Sequence, residues 1–323
     1  MTKAILLVGG YGTRLRPLTE DLPKPMLPIA GLPVTEHQLM MAKKAGITEI
    51  VLATSYLSEV FLPYFGDGSD FGMSIIYATE RSPLGTGGAI RNAALELGED
   101  FLASDEPLVI FNGDIISHHH IDRQISFHLE HQADVTLHLT RVDDARAFGC
   151  VPTDSQGRVT AFLEKMDNPV TNAINAGCYV FHPSVISSIA AETVVSVERE
   201  VFPTLVERGG RVFGYEEQAY WLDIGTPAAL LQGSRDLVGK DFIALDHSQI
   251  DRTATVTGGS AIGRNCVIEE SATIVGSIIS DGARIGRGSA LENCFVARGT
   301  VVPAGTSRED FYISPGKSEP LSL

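Results

Sequence analysis

The sequence lacks any uninterrupted apolar run of the ~18 residues that a membrane-spanning helix needs, so we expect no membrane partner. Its four cysteines form no CxxC pair, which disfavours both a zinc site and a redox dithiol. Basic residues are scarce, with 25 Lys and Arg against 40 Asp and Glu and a formal net charge of −15. Because this balance repels polyanions, we expect no nucleic acid partner.

The remaining composition is that of an ordinary globular protein, with 44% hydrophobic and 20% charged residues. At about 150 residues per domain, a chain of 323 residues predicts about two domains. The opening MTKAILLVGG reaches glycine too early for a signal peptide. We therefore expect a cytoplasmic protein whose cysteines are reduced packing residues.

Apolar runs and amphipathic stretches alternate through the first half of the chain. The runs predict strands at 3–8, 49–54, 73–78, 107–112 and 134–141. The amphipathic stretches predict helices at 34–45, 57–65, 87–97 and 121–131. This repeated strand–helix order predicts an α/β fold with a mostly parallel sheet and helices on its faces.

After about residue 240 the pattern changes to a repeat of five or six residues. Aliphatic side chains recur at Val256, Ile262, Ile268, Ile274, Ile279, Ile285, Leu291, Val296 and Val302. Neither a helix nor a single strand has this period, whereas a parallel β-helix of hexapeptides does. About three coils are predicted, too few to be stable alone, so we expect them to pack on the first domain or on another subunit.

These patterns divide the chain into four parts. We predict an α/β domain at 1–240, a linker at 241–253, a hexapeptide β-helix at 254–306 and a C-terminal tail at 307–323.

The segment GGYGTRLRPLTEDLPKPMLPI at 9–29 has the composition of a phosphate-binding loop. Its three glycines expose backbone N–H groups, and Arg14 and Lys24 add positive charge. It contains no GxxxxGK[ST] motif, and Leu15 stands where a dinucleotide fingerprint needs its third glycine. The loop is therefore predicted to hold phosphates in neither of those two ways.

This segment resembles the signature of the sugar-nucleotide pyrophosphorylases, which join a sugar 1-phosphate to a nucleoside triphosphate. The resemblance continues in the family's order through PLGTGGA at 83–89, FNGD at 111–114, FGCV at 148–151, FLEK at 162–165, INAGCYVF at 174–181, SVEREVFP at 196–203 and WLDIGTP at 221–227. Within the family the sequence is most similar to the bacterial mannose-1-phosphate guanylyltransferases. The resemblance implies a Rossmann-like, GT-A-like nucleotidyltransferase domain followed by a short left-handed parallel β-helix.

The resemblance also implies the reaction. It is the Mg²⁺-dependent, in-line attack of mannose 1-phosphate on the α-phosphorus of GTP, which yields GDP-mannose and pyrophosphate. The second pKa of a phosphate monoester is ~6, so the nucleophile is already ionised at neutral pH. The chemistry needs no Ser–His or Cys–His pair, but it does need charge neutralisation by metal, Arg and Lys.

Specific residues follow from the resemblance. Arg14, Lys24 and Asp114 are implied to be catalytic, Arg14 at the departing pyrophosphate and Lys24 near the α-phosphorus. Asp114 and Asp223 are implied to bind Mg²⁺. The residues implied at the nucleotide are Gly9, Gly10, Gly12, Thr13, Gly85 and Thr86. The residues implied at the sugar phosphate are Gly149, Glu164, Lys165, Asn175 and Gly177.

Alternatives to this substrate and this function stay open. Met166 stands where the family commonly has proline, which leaves room for a cyclitol phosphate such as valienol 1-phosphate, or for another hexose 1-phosphate and nucleotide pair. A catalytically silent regulatory subunit is a third possibility, disfavoured because the cations and aspartates are present. The absence of histidine from 256–302 disfavours an acyltransferase, so we expect the β-helix to support a homo-oligomer, a dimer or larger.

Two further features have non-catalytic explanations. The consecutive His118, His119 and His120 do not converge on one ion in regular structure, so we expect a solvated loop or a helix entry before Asp122. Trp221, the one tryptophan, is expected to pack near the sheet end rather than to stack on guanine.

Overall fold

A computed structural model of the chain describes residues 2–10, 12–55 and 57–323. It divides into two compact units. The first contains Met1–Gly10 and Gln38–Trp221, and the second contains Tyr11–His37 and Leu222–Leu323. Within the described part of the chain, no helix combines the length and apolar character needed to cross a membrane.

A seven-stranded sheet forms the core of the first unit. Its strands lie in the order Val212–Glu216, Val135–Arg141, Ala173–Phe181, Leu108–Asn112, Lys3–Leu7, Glu49–Thr54 and Ser74–Thr79. Neighbouring strands are parallel, except that Ala173–Phe181 is antiparallel to both of its neighbours. The predicted mostly parallel sheet is confirmed.

The sheet's central strands are apolar because helices cover both of its faces. The helices of the first unit are Phe61–Phe65, Gly85–Leu95, Glu99–Leu102, Ile121–Glu130, Pro183–Ser188 and Phe202–Glu207, and Val34–Lys44 runs into it from the preceding segment. The core contains Ile5, Ile110 and Val51 from adjacent strands, all fully buried. Each strand and helix predicted from the pattern is present, with ends shifted by a few residues.

The carboxyl ends of these parallel strands carry the sequence motifs. Lys3–Leu7 leads into Gly9 and Gly10, and Leu108–Asn112 leads into Asp114. Ligands of open α/β sheets bind beside this edge, at the point where the strand order reverses. In this sheet the reversal lies between those two strands.

The C-terminal part of the second unit is a parallel β-helix with three ladders. One ladder consists of Phe242–Ala244, Ser260–Ile262, Ile278–Ile279, Phe295–Val296 and Phe311–Ser314, closed by the antiparallel strand Lys317–Pro320. The second consists of Gln249–Ile250, Val267–Ile268, Arg284–Ile285 and Val301–Val302. The third consists of Thr255–Thr257, Thr273–Val275, Ala290–Glu292 and Ser307–Glu309.

The aliphatic repeat forms the interior of this β-helix. Val256, Ile274 and Leu291 stand in register on successive coils, as do the aliphatic residues predicted for the other two faces. All of them are buried. The hexapeptide prediction is confirmed. The ladders also include strands from the predicted linker and tail, and the four domain limits stay predictions.

Corner residues with positive φ turn the chain between the three faces. Asn265, Gly282 and Gly299 repeat at the same corner of successive coils, with φ of 56°, 71° and 66°. Glycine and asparagine adopt this left-handed conformation at the lowest cost, which explains the small residues between the aliphatic positions.

The helix Pro227–Val238 and the segment Tyr11–His37 both belong to the second unit. Arg235 on this helix donates to the Gly276 carbonyl oxygen and to Asn293 Oδ1, at 3.2 and 2.8 Å. Ser234 Oγ accepts the backbone N–H of Ala30 at 3.0 Å. Within the second unit, the helix therefore contacts both Ala30, which directly follows the predicted phosphate-binding segment, and the β-helix.

The helix entry expected at His118–His120 is present, since the helix Ile121–Glu130 begins directly after His120, but the alternative of a solvated loop is wrong for His119. His119 is buried and stacks on His138, with ring centroids 3.7 Å apart. Its ring hydrogen-bonds Ser117 Oγ and Gln124 Oε1 at 2.9 and 3.0 Å, whereas His120 pairs with Glu217 at the surface. Burial lowers the pKa of His119 to about 4 and that of His138 to about 3.

We expect these histidines to make the first unit sensitive to acid. Burial also lowers the pKa of His128 to about 4, so three histidines stay neutral when folded but bind protons when unfolded below pH ~6.5. The contribution of these neutral histidines to the free energy of unfolding is fully present above pH ~6.5. It is lost as the pH falls towards the folded pKa values, by about 3 kcal/mol per histidine. Urea unfolding followed by Trp221 fluorescence at pH 7, 6, 5 and 4 measures this loss.

A variant identifies the groups responsible. His138→Leu removes one buried imidazole and is expected to shrink the acid loss by about a third. The control His247→Asn changes an exposed histidine at φ 62°, which asparagine tolerates, and should leave the slope unchanged. An unaltered slope in His138→Leu would contradict the assignment.

Candidate functional site

A tight turn presents the first cation of the signature. Gly12 has φ 56° and precedes the 3-10 turn Thr13–Leu15, whose last N–H donates to the Gly12 carbonyl at 3.0 Å. Thr19 Oγ1 donates to the same carbonyl at 2.9 Å. Hydrogen bonds to the Gly12 carbonyl therefore stabilise the turn. Thr13 and Arg14, which stand on it, are exposed.

Three charged side chains of the second unit come together beside Gly225. Lys24 Nζ lies 3.7 Å from Asp223 Oδ1, and both side chains are mostly buried. A Cβ added at Gly225 would lie 3.2 Å from Asp223 Oδ1 and 3.3 Å from Arg14 Nη2. Two cations and one carboxylate from distant parts of the sequence thus share a small region, and Gly225 leaves the space that they need.

The first two glycines of the signature belong to the first unit and pack on a neighbouring strand end. Gly10 donates its N–H to Ser55 Oγ at 3.3 Å, and a Cβ at Gly9 would lie 2.7 Å from the same oxygen. Gly10 has φ 111°, a conformation that favours glycine. Ser55 is a contact that sequence reasoning missed.

Asp114 stands in a tight turn in which the preceding position, Gly113, has no space for a side chain. Gly113 donates its N–H to the Leu7 carbonyl at 2.9 Å, and a Cβ at Gly113 would collide with that carbonyl. Asp114 itself is half-buried. The glycine of the FNGD motif therefore lets two parallel strands end side by side, with a carboxylate at the edge.

The glycines of PLGTGGA have a structural role besides any contact with a nucleotide. The N–H groups of Gly87 and Gly88 donate to the Val195 carbonyl at 2.8 and 3.4 Å. A Cβ at Gly85 would lie 2.6 Å from that carbonyl oxygen. The first N–H groups of the helix Gly85–Leu95 are thus hydrogen-bonded to the backbone carbonyl of Val195. The assignment of Gly85 and Thr86 to the nucleotide stays a prediction.

The hydroxyl of Thr86 is held by the segment that contains SVEREVFP. Thr86 Oγ1 donates to Glu198 Oε2 at 2.7 Å and accepts the Val197 N–H at 3.0 Å. Ser196 Oγ also donates to Glu198, at 2.8 Å. Sequence reasoning included this segment in the resemblance but gave it no role.

The structure brings together four of the five residues predicted to bind sugar phosphate. Asn175 donates its backbone N–H to the Gly149 carbonyl at 3.0 Å, and a Cβ at Gly149 would lie 3.8 Å from Glu164 Oε1. Gly177, at φ 75°, donates its N–H to Asn175 Oδ1 at 3.1 Å. Lys165 follows Glu164 and is exposed.

Tyr179 links this group to the strand that precedes Asp114. Its hydroxyl oxygen accepts from Asn175 Nδ2 at 2.9 Å and from Asn112 Nδ2 at 3.3 Å. The residue is fully buried, and burial raises its pKa well above the ordinary value. In the sequence a tyrosine on an apolar strand is indistinguishable from a core residue, which is why it was missed.

Met166, which departs from the family pattern, is an apolar packing residue. It belongs to a cluster with Phe148 and Trp221, whose rings meet edge to face at a centroid distance of 5.5 Å. Trp221 Nε1 donates to the Ala176 carbonyl at 2.9 Å. Trp221 therefore packs against the Asn175–Gly177 part of the strand Ala173–Phe181.

The donor chemistry fits a hard divalent cation. Among the described residues, no three His, Cys, Asp or Glu side chains form a group that could hold a metal by themselves. Mg²⁺ needs no such group, because it typically takes only one or two carboxylates and completes its shell with phosphates and water. The assignment of Asp114 and Asp223 as metal ligands stays a prediction.

Comparisons with known proteins cover nearly the whole chain. A family described as Nucleotidyl transferase matches residues 3–239, and a family described as GlmU-like, C-terminal hexapeptide matches residues 238–308. The chain is 46% identical over 303 residues to a mannose-1-phosphate guanylyltransferase of Mycobacterium tuberculosis, covering 90% of this chain and 82% of the relative. An Arabidopsis thaliana mannose-1-phosphate guanylyltransferase 1 is 35% identical over 306 residues, covering 92% and 81%.

A solved structure is also similar. The HddC protein of Yersinia pseudotuberculosis complexed with GMP-PN has a TM-score of 0.62 and 27% identity, covering 73% of this chain and 100% of that one.

Proposed function

This chain belongs to the nucleotidyl transferase family, and we propose that it joins GTP to mannose 1-phosphate to give GDP-mannose and pyrophosphate. The observation that carries this proposal is the 46% identity over 90% of the chain to a mannose-1-phosphate guanylyltransferase. The convergence of Arg14, Lys24 and Asp223 supports it, since the reaction must neutralise charge between two anionic substrates.

In the proposed mechanism a phosphate oxygen of the sugar phosphate attacks the α-phosphorus of GTP, and pyrophosphate leaves. Nucleotidyltransferases of this family generally use a divalent metal, and we propose Mg²⁺, held by Asp114 and Asp223, to neutralise phosphate charge. Lys24 bridges phosphates near the α-phosphorus, and the Arg14 guanidinium binds the departing pyrophosphate. Gly149, Glu164, Lys165, Asn175 and Gly177 hold the sugar phosphate.

A base-reading residue can be added to this mechanism. Glu80 follows the strand Ser74–Thr79 directly, and its N–H donates to the Thr54 carbonyl at 3.0 Å. Its Oε1 is buried without a hydrogen bond to any described residue, and the carboxylate also accepts a backbone hydrogen bond from Leu84. A carboxylate can accept both N–H donors on guanine's Watson–Crick edge, whereas adenine presents an acceptor there. We propose that Glu80 selects guanine.

Pyrophosphate release with Mg²⁺ tests the proposed reaction. The wild-type protein is expected to turn over GTP with mannose 1-phosphate faster than ATP, UTP or dTTP, and faster than GTP with glucose 1-phosphate or valienol 1-phosphate. A better rate with valienol 1-phosphate would redirect the proposal to cyclitol activation. No turnover with any pair would favour a regulatory binding subunit.

Glu80→Gln tests the base reading in the same assay. In this variant, kcat/KM for GTP is expected to fall by about tenfold or more. It should then be close to the variant's kcat/KM for ITP, because ITP lacks the 2-amino donor that the glutamate is proposed to recognise. Glu96→Gln, an exposed change at the end of the helix Gly85–Leu95, is the control. A loss in Glu80→Gln that is equal for GTP and ITP would mean that Glu80 supports the loop without reading the base.

We also propose a cytoplasmic location and a homo-oligomer. The parallel β-helix supports the second proposal, since repeats at the ends of short solenoids expose surfaces that a partner can cover.

A further inference from the structure

Gln38 is a buried polar residue on the helix Val34–Lys44. It exposes only 3% of its surface. Its Nε2 donates to the Asn112 carbonyl at 2.7 Å and to the Ile115 carbonyl at 2.9 Å. One carboxamide therefore uses both of its hydrogens on the backbone of a single short turn.

The turn that Gln38 holds is the one that carries Asp114. Asn112 and Ile115 flank the Gly113–Asp114 pair, so the two hydrogen bonds fix the carbonyls before and after the aspartate. The same turn is fixed elsewhere by the Gly113 N–H on the Leu7 carbonyl. Of these contacts, only the pair from Gln38 binds carbonyls on both sides of Asp114.

Stability alone does not account for a glutamine at this position. Its Oε1 is buried and hydrogen-bonds no residue in the described ranges 2–10, 12–55 and 57–323. A buried acceptor without a partner costs about 1–3 kcal/mol, which offsets part of what the two donated bonds contribute.

We infer that Gln38 is a positioning residue for Asp114, which fixes the turn from both sides so that the carboxylate meets the divalent metal in one geometry. This inference rests on the proposed role of Asp114 as a metal ligand. Groups that orient metal ligands typically alter metal affinity or activity by about 10- to 100-fold when they are replaced.

The chain offers a matched control in Gln124. This glutamine is also fully buried, and its Nε2 also donates to two backbone carbonyls, those of Thr136 and Cys178, at 3.2 and 3.3 Å. Those carbonyls lie on the strands Val135–Arg141 and Ala173–Phe181, not on the Asp114 turn. A change at Gln124 therefore removes packing and two donated hydrogen bonds as the change at Gln38 does, and in addition the bond to the His119 ring, without touching that turn.

The test is Mn²⁺ binding, followed by electron paramagnetic resonance with a non-hydrolysable GTP analogue present. Gln38→Met is expected to weaken Mn²⁺ binding by about 10- to 100-fold and to raise the Mg²⁺ concentration for half-maximal rate. Gln38→Glu, which keeps the shape and removes the paired amide donors, should act in the same direction. Gln124→Met should lower the melting temperature but keep wild-type Mn²⁺ affinity.

Two results would overturn the inference, and they are distinguishable. If both Gln38 variants melt earlier but bind Mn²⁺ as the wild type does, Gln38 is a structural residue only. If Asp114→Asn keeps wild-type Mn²⁺ affinity, the metal assignment in the proposed function is wrong and the inference falls with it.

Discussion

Asp114→Asn is expected to lower kcat by at least about 10³-fold, equivalent to about 4 kcal/mol of transition-state stabilisation. The substitution keeps the shape of the side chain but removes the negative charge that the proposed Mg²⁺ requires. Gly113 and Leu7 hold the turn through backbone groups, so the fold should survive the change. Steady-state pyrophosphate release measures kcat, and circular dichroism checks the fold.

A neighbouring aspartate is the control for this change. Asp122 lies in the first turn of the helix Ile121–Glu130 and is exposed, so Asp122→Asn removes one negative charge away from the predicted site. It should retain wild-type kcat. If Asp114→Asn kept more than about a tenth of the wild-type kcat, a metal held by Asp114 would not be needed for the chemistry.

Arg14→Gln is expected to lower kcat by about 10³-fold, in line with arginines that stabilise charge in phosphoryl transfer. The guanidinium lies beside Gly225, close to Asp223. Its loss removes a fixed positive charge where pyrophosphate is proposed to leave. Arg16→Gln, an equally exposed change two residues along the same loop, should have little effect on kcat.

A milder perturbation of the same region is the substitution of Gly225. Gly225→Ala places a methyl group 3.2 Å from Asp223 Oδ1 and 3.3 Å from Arg14 Nη2, so the carboxylate and the guanidinium must each give way by a few tenths of an ångström. A misplacement of about 1 Å can cost 10²-fold in rate, and we expect about a tenfold loss from this smaller shift. Unchanged kinetics in Gly225→Ala together with a large loss in Arg14→Gln would mean that Arg14 moves freely when it binds substrate.

The secondary structure was predictable because it follows from local periodicity. The strand Lys3–Leu7 is a short apolar run that ends in glycines, a pattern typical of a buried strand that leads into a loop. In the β-helix, Ile262 and Ile279 recur at the spacing that places them on successive coils. In both cases the repeat of the secondary structure determines which side chains point into the core, so the apolar pattern is visible in the local sequence.

Part of the candidate site was predictable as well, because its residues stand in short contiguous motifs. Gly12, Arg14 and Lys24 lie within a single segment, and the structure holds the first of them in the left-handed turn that glycine permits. Gln38, Glu80 and Glu198 were missed. Each belongs to a segment that reads as an ordinary helix, strand end or turn, and no short motif marks it.

The sequence by itself determined the α/β order of the first part, the hexapeptide solenoid and the family, since all three depend on local period and contiguous motifs. Tertiary structure alone decided that Asp223 meets Lys24, that Val195 closes the start of the helix Gly85–Leu95, and that Gln38 spans the turn around Asp114. These contacts join residues dozens to hundreds of positions apart. A hydrogen bond or an ion pair depends on distance and direction in space, and no local pattern encodes either.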